Sequence, residues 1–137
     1  MKLAIINGVN LGRLGTREID IYGSTSFEDY FSQLKKKFPA IELAYFQSDN
    51  LTELIAALHH FDGYDGIIIN PGAYTHTAIV LADAIGSINT PVVEVHISNL
   101  FGREMYRKTS MISSRCVGFI SGFGLQGYQL AIHHFMD

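Results

Sequence analysis

Apolar positions along this chain follow two alternating rhythms. Short runs of strand length occur at Leu3 to Ile6, Ile41 to Phe46, Gly66 to Ile69, Pro91 to Val95 and Val117 to Ile120. Several are apolar at nearly every position, as strands do when a parallel sheet is covered on both faces. Between them the spacing turns helical. Phe27, Phe31, Leu34 and Phe38 form one stripe, with Thr25-x-x-Glu28 as its expected cap. Leu51, Leu54, Ile55 and Leu58 form a second, behind the capping box Asn50-x-x-Glu53. Ala78 to Ile88 predict a third helix, stopped before Pro91, and Tyr128, Ala131, Ile132 and Phe135 a fourth.

Strands alternating with helices predict an α/β three-layer sandwich around a parallel sheet. Five strands with short connections suit the flavodoxin-like order 2-1-3-4-5, in one domain spanning residues 1–137. Two segments break the rhythm. Gly8 to Thr25 is polar and glycine-bearing, and Asn99 to Arg115 is rich in charge and hydroxyls. Long irregular stretches in a compact domain usually serve as lids or binding loops, so an active-site lid is expected at about residues 11–24. Ligands in such folds bind beyond the carboxyl ends of the strands.

Composition narrows the function without naming it. The 137 residues are 47% hydrophobic and 17% charged, with a formal net charge of −3. The densest basic run is Lys35-Lys36-Lys37, which reads as the polar end of a helix, so no nucleic-acid partner is expected. No apolar run approaches the ~20 residues of a membrane span, and no membrane partner is expected. The first residues already read as a strand, so no leader is expected and the cytoplasm is the default location. The single cysteine, Cys116, excludes a disulfide within the chain and reads as a buried, inert thiol. No Cys/His set has zinc spacing, no phosphate-cradling Gly-x-x-x-x-Gly-Lys occurs, and Gly8 to Gly15 has the wrong spacing for a dinucleotide loop. Neither metal nor cofactor is implied.

Each strand end instead delivers polar side chains to one sheet edge: Asn7, Asn10, Arg13, Arg17 and Tyr22 after the first, and Gln47, Ser48 and Asp49 after the second. Asn70, Thr75 and His76 follow the third, and His96, Ser98, Asn99, Arg103 and Arg107 the fourth. A core would not collect so many polar groups. His96 is the sharpest candidate. Glu94 lies two residues earlier on the same strand, so both side chains project to one side. A carboxylate beside imidazole fixes its tautomer and favours its protonated form, as a general acid requires. Arg17 and Tyr22 share a loop, where a guanidinium would favour phenolate; by spacing alone they read rather as a surface arginine and a packing tyrosine. His76 reads either as a ligand contact near a helix N-terminus or as a first-turn surface residue. His59, His60, His133 and His134 lie on helical stretches and read as surface or packing residues.

Taken together, Asn7-Gly8-Val9-Asn10-Leu11, Leu14-Gly15-Thr16-Arg17-Glu18 and Ile21-Tyr22-Gly23 resemble the opening of type II 3-dehydroquinate dehydratases. So do Gln47-Ser48-Asp49, the stretch from Ile69 to Thr77 (INPGAYTHT), Glu94-Val95-His96-Ile97-Ser98-Asn99 and Gly124-Leu125-Gln126-Gly127-Tyr128. The resemblance runs in order across nearly the whole chain. It implies a lyase that converts 3-dehydroquinate to 3-dehydroshikimate through an enolate, in the shikimate pathway or quinate breakdown, without metal, cofactor or Schiff base. It implies Tyr22 as the base, Arg17 as the partner that holds it as phenolate, and Asn10 as the group positioning a water at the enolate. It implies His96 as the acid, oriented by Glu94. Asn70, Ile97 and Ser98 would bind the substrate carboxylate, His76 and Arg107 the ring hydroxyls, and Asp83 would reach the site from a neighbouring subunit of a dodecamer built from trimers. Val9 and Ile19 stand where the family commonly has proline, and Leu51-Thr52 where it has Glu-Gly. These departures motivate one alternative, a low-activity relative that binds a quinate-like ligand. A flavodoxin-like cofactor or phosphoacceptor module is a further rival, and it lacks its motifs.

Overall fold

A computed structural model describes residues 1–15 and 25–137. The expected lid at about 11–24 falls mostly on residues 16–24, so Arg17 and Tyr22 lie outside the described residues. Five strands form one parallel sheet: β1 Lys2–Asn7, β2 Glu42–Gln47, β3 Gly66–Asn70, β4 Val92–His96 and β5 Gly118–Ser121. Their spatial order is 2-1-3-4-5, the expected one. Among the described residues, four α-helices cover it: α1 Phe27–Lys37, α2 Leu51–His60, α3 Ile79–Ser87 and α4 Gln126–Met136.

The two faces of the sheet carry separate cores, as strand alternation dictates. Ala4, Ile6, Ile67 and Ile69 pack under α2 and α3 with Leu54, Leu58, Leu81 and Ile85. Leu3, Ile5, Ile68, Val93 and Val95 pack under α1 and α4 with Phe27, Leu34, Tyr128 and Ile132. The central strands β3 and β4 are buried at every position, while the edge strands β2 and β5 are only partly covered.

Two helix starts, those of α1 and α2, follow side-chain chemistry closely. Asn50 Oδ1 caps α2 by accepting from the Thr52 and Glu53 amides, as expected. The returning half of that capping box is relayed: Ser48 Oγ donates to Glu53 (2.6 Å) and accepts from the Asn50 amide (2.9 Å). The cap of α1 is Ser26 rather than the expected Thr25. Ser26 takes an extended conformation and accepts from the Asp29 amide, so the helix begins at Phe27, which is buried.

Backbone contact at the carboxyl edge places the loops that matter for function. A Cβ on Gly8 would lie 2.3 Å from the Pro71 carbonyl oxygen. Gly72, at φ +65°, leaves only 2.6 Å between such an atom and the Val9 carbonyl oxygen. The turns after β1 and β3 therefore touch backbone to backbone, joined by a 2.7 Å hydrogen bond from the Gly8 amide to the Asn70 carbonyl. Beneath them, the fully buried Tyr128 of α4 accepts from Asn70 Nδ2 (2.9 Å) and donates to Asn7 Oδ1 (2.8 Å). One phenol thus ties α4 to the ends of β1 and β3. Among the described residues, no helix is long and apolar enough to cross a membrane.

Two stability outcomes follow. Gly8→Ala forces the two turns apart and costs more than about 2 kcal/mol; Gly118→Ala, whose new Cβ meets only Val93 Cγ2 at 3.8 Å, changes stability by less than about 1 kcal/mol. Thermal unfolding of the two variants should separate them clearly. Tyr128→Phe strands two buried amides and costs about 1–3 kcal/mol, read as a lower denaturation midpoint in urea with an unchanged slope.

Candidate active site

The carboxyl ends of the strands open into a cleft of about 740 Å³, solvent at its mouth included. Val9, Asn10, Leu11 and Leu14 line one side, Asn70, Gly72, Ala73 and His76 another, and His96, Ile97, Ser98, Leu100, Arg103 and Arg107 the rest. Seven of the expected site residues therefore share one cavity: Asn10, Asn70, His76, His96, Ile97, Ser98 and Arg107.

His96 ends β4 and is 5% exposed. Its Nε2 lies 2.5 Å from Glu94 Oε2, and Glu94 has no solvent exposure. The i, i+2 spacing on one strand face produces this pair, as the sequence predicts. Since Nε2 is taken up by the carboxylate, Nδ1 is the ring nitrogen left to meet a ligand. Glu94 has further donors. Thr75 Oγ1 reaches Oε2 at 2.6 Å, and Ser110 Oγ lies 2.9 Å from both carboxylate oxygens. Thr75 figured among the polar groups after the third strand, but Ser110 carried no individual signal. It sits in the hydroxyl-rich stretch that follows β4, sixteen residues from its partner.

His76 closes the 3-10 turn Gly72–His76 rather than opening a helix; α3 begins only at Ile79. Its Nδ1 lies 2.7 Å from the Thr109 carbonyl oxygen. A carbonyl only accepts, so Nδ1 carries the proton and Nε2 faces any ligand as an acceptor when the ring is neutral. Asn70 is 3% exposed, and its amide orientation is fixed at both ends. Oδ1 accepts from the Gly72 amide (3.2 Å) and Nδ2 donates to Tyr128.

Asn10 adopts the left-handed conformation at φ +68°, which asparagine tolerates better than most residues. Its amide donates to Asp49 Oδ1 at 2.8 Å, which anchors the turn to the end of β2. On the opposite wall Arg103 Nη1 donates to Ser98 Oγ at 3.3 Å. Arg107 Nε lies 3.1 Å from Glu104 Oε2. The Glu104 backbone amide, followed by the charges of Arg107 and Arg103, holds the Glu104 carboxyl below its ordinary range.

Among the described residues, the expected Glu94 and Asp83 do not line this cleft, and Glu94 meets it through His96. Asp83 sits exposed on α3. Cys116 is half-buried rather than fully buried. Its Sγ donates to the Ile112 carbonyl, and burial, then the negative charge of Glu94, push the thiol up to about 12. Both influences disfavour the thiolate, the reactive form of cysteine. Among the described residues, no group of three or more His, Cys, Asp or Glu side chains is arranged to hold a metal ion.

Comparison with known proteins agrees across the full length. A curated 3-dehydroquinate dehydratase from an Exiguobacterium species is 46% identical, with 100% of this chain and 95% of the relative covered. One from Caldicellulosiruptor saccharolyticus is 47% identical, with 96% and 94% covered. The crystal structure of the type II dehydroquinase from Butyrivibrio crossotus superposes with a TM-score of 0.96 at 39% identity, covering 100% of this chain and 98% of that one. The family model described as dehydroquinase class II matches residues 1–136, and the chain belongs to that family.

Proposed function

We propose that this protein dehydrates 3-dehydroquinate to 3-dehydroshikimate, with His96 as the general acid. The observation that carries the assignment is the buried Glu94–His96 pair at the end of β4, opening into a cleft whose walls carry amide, imidazole and guanidinium groups. The substrate is a polyhydroxylated ring with a carboxylate and a ketone. The carboxylate suits Asn70 with the backbone amides of Ile97 and Ser98, and the hydroxyls suit His76 and Arg107.

The chemistry divides into two proton transfers. A base removes the proton beside the ketone, and the electron pair of that C–H bond becomes the enolate. Asn10 positions a water against the enolate oxygen, an electrostatic task. The enolate then collapses to the conjugated enone as the ring C–O bond breaks, and His96 protonates the departing hydroxyl, which leaves as water. Glu94 holds the imidazole in the orientation this needs.

Tyr22 is the proposed base, with Arg17 favouring its phenolate. Four other tyrosines are unsuited to that role. Burial raises the phenols of Tyr30 and Tyr128 and pushes Tyr45 up to about 12. Tyr74 donates its hydroxyl proton to the Asp49 carbonyl. The proposed domain is the whole chain, 1–137, with the lid at about 11–24 carrying Arg17 and Tyr22. The quinate-binding alternative has no observation in its favour.

The proposed assembly is a dodecamer built from trimers, in the cytoplasm, with Asp83 reaching a neighbour's cleft. Ile79 and Val80, 61% and 53% exposed, share a helix with Asp83 and offer apolar surface for a second subunit.

Purified protein mixed with 3-dehydroquinate should produce the enone, followed by ultraviolet absorbance; no product above background at high enzyme concentration overturns the lyase assignment. Tyr22→Phe and His96→Asn should each lower kcat by roughly 10²–10⁴-fold while circular dichroism stays unchanged, and a fully active Tyr22→Phe would refute that choice of base. Native mass spectrometry should give trimers and dodecamers, and Asp83→Asn should raise KM about tenfold; a monomer with full activity would contradict both statements.

A further inference from the structure

We infer that Thr75 and Ser110 are positioning residues for the acid half of the reaction, holding the Glu94 carboxylate on His96 and fastening that pair to the loop that carries Arg103 and Arg107. The inference rests on His96 being the acid.

A carboxylate with no solvent exposure needs donors from the protein. The proton count shows where they come from. Ser110 Oγ accepts from the Ile112 amide (3.2 Å) and the Ser113 amide (3.1 Å), which occupies both of its lone pairs. Its one proton is then left for Glu94. Thr75, with no exposure of its own, directs its proton to Oε2 from 2.6 Å. The two hydroxyl oxygens lie 3.1 Å apart, side by side on the same carboxylate. With His96 Nε2, three donors converge on Glu94.

Three consecutive residues make the connection to the loop. The Thr109 carbonyl accepts from His76, the Ser110 hydroxyl reaches Glu94, and the Met111 amide donates to the Thr75 carbonyl at 2.7 Å. Residues 109–111 therefore bind both the acid pair and the 3-10 turn that carries His76. The remaining titratable groups around the pair are Cys116, which feels the charge of Glu94, and His76, Arg103 and Arg107 along the cleft.

Donors to a carboxylate favour its charged form. Removing one moves the shared proton from imidazole toward Glu94, so His96 spends more time neutral and protonates the leaving hydroxyl less often. This effect falls on kcat, because the substrate contacts are untouched.

Thr75→Val removes a hydroxyl at nearly constant volume, Thr75→Ser keeps it, and Ser110→Ala tests the second donor. Three measurements are needed: kcat and KM with 3-dehydroquinate, the thermal midpoint, and the side-chain ¹⁵N shifts of His96 at pH 7, assigned by comparison with His96→Asn. Thr75→Val and Ser110→Ala should each lower kcat about tenfold, with KM for Thr75→Val within about twofold and His96 shifted toward neutral imidazole. Thr75→Ser should stay near the unmodified protein in all three. The inference is overturned if both hydroxyl deletions leave kcat and the His96 shifts unchanged. It is overturned equally if kcat falls in Thr75→Ser as far as in Thr75→Val. If the unmodified protein has no activity, the lyase assignment fails, and the ¹⁵N shifts still decide whether these hydroxyls set the state of His96. If Thr75→Val does not fold, Ser110→Ala carries both readouts.

Discussion

A carboxylate has been taken completely out of water at the end of the fourth strand, and the cleft is organised around satisfying it. Stripping such a group of its hydration costs several kcal/mol unless donors replace the water. Glu94 receives them from three parts of the chain: His96 on its own strand, Thr75 in the turn after β3, and Ser110 in the loop after β4. The requirement runs both ways. The donors keep the buried charge tolerable, and the charge fixes where the donors can be. A loop of 3-10 turns and exposed side chains would otherwise have little reason to hold one conformation. Its anchoring at residues 109–113 gives Arg103 and Arg107 a fixed base from which to reach the cleft.

The opposite wall depends on the absence of side chains. Gly8 meets Pro71, and Gly72 meets Val9, at distances where no Cβ fits. That approach brings the turn bearing Asn10 against the turn bearing His76, and the Tyr128 hydroxyl holds Asn7 and Asn70 at the matching strand ends. The cleft is therefore framed by backbone packing on one side and by a hydrogen-bonded carboxylate on the other. Both are rigid ways of placing a polar group.

Much of this is written in local sequence. The strands and helices lie within a residue or two of the positions given by apolar periodicity, because each element's pattern repeats within its own length. Glu94 and His96 are legible for the same reason, being two apart on one strand. The α1 cap is displaced by one residue because Thr25 and Ser26 are both competent caps, and the choice is made by the burial of Phe27. Ser110 and the hydroxyl of Tyr128 were not legible. Their partners lie 16, 58 and 121 residues away, across connections with no periodicity to carry the information. Tyr128 reads correctly as a core residue of α4; the sequence does not reveal that its polar end closes a network between β1 and β3. Arg17 and Tyr22 depend wholly on family resemblance, since local spacing does not distinguish a catalytic pair from a surface arginine and a packed tyrosine.

The distribution of tyrosines explains why the base has to come from elsewhere than the aromatic core. Phe27 stacks on Tyr45 at 4.8 Å and meets Tyr128 edge-on at 4.9 Å, with Tyr30 beside them. That cluster closes the sheet face under α1 and α4, and its desolvation disfavours phenolate at every member. A tyrosine that must ionise near neutral pH needs the reverse environment, with a cation close by and little apolar burial. The acid has different needs, since an imidazole works when held rigidly against a carboxylate in a dry strand end. The fold offers that setting at His96, the proposed acid, on a strand buried at every position. Arg17 and Tyr22, only five residues apart in sequence, are the proposed pair that would meet the base's need.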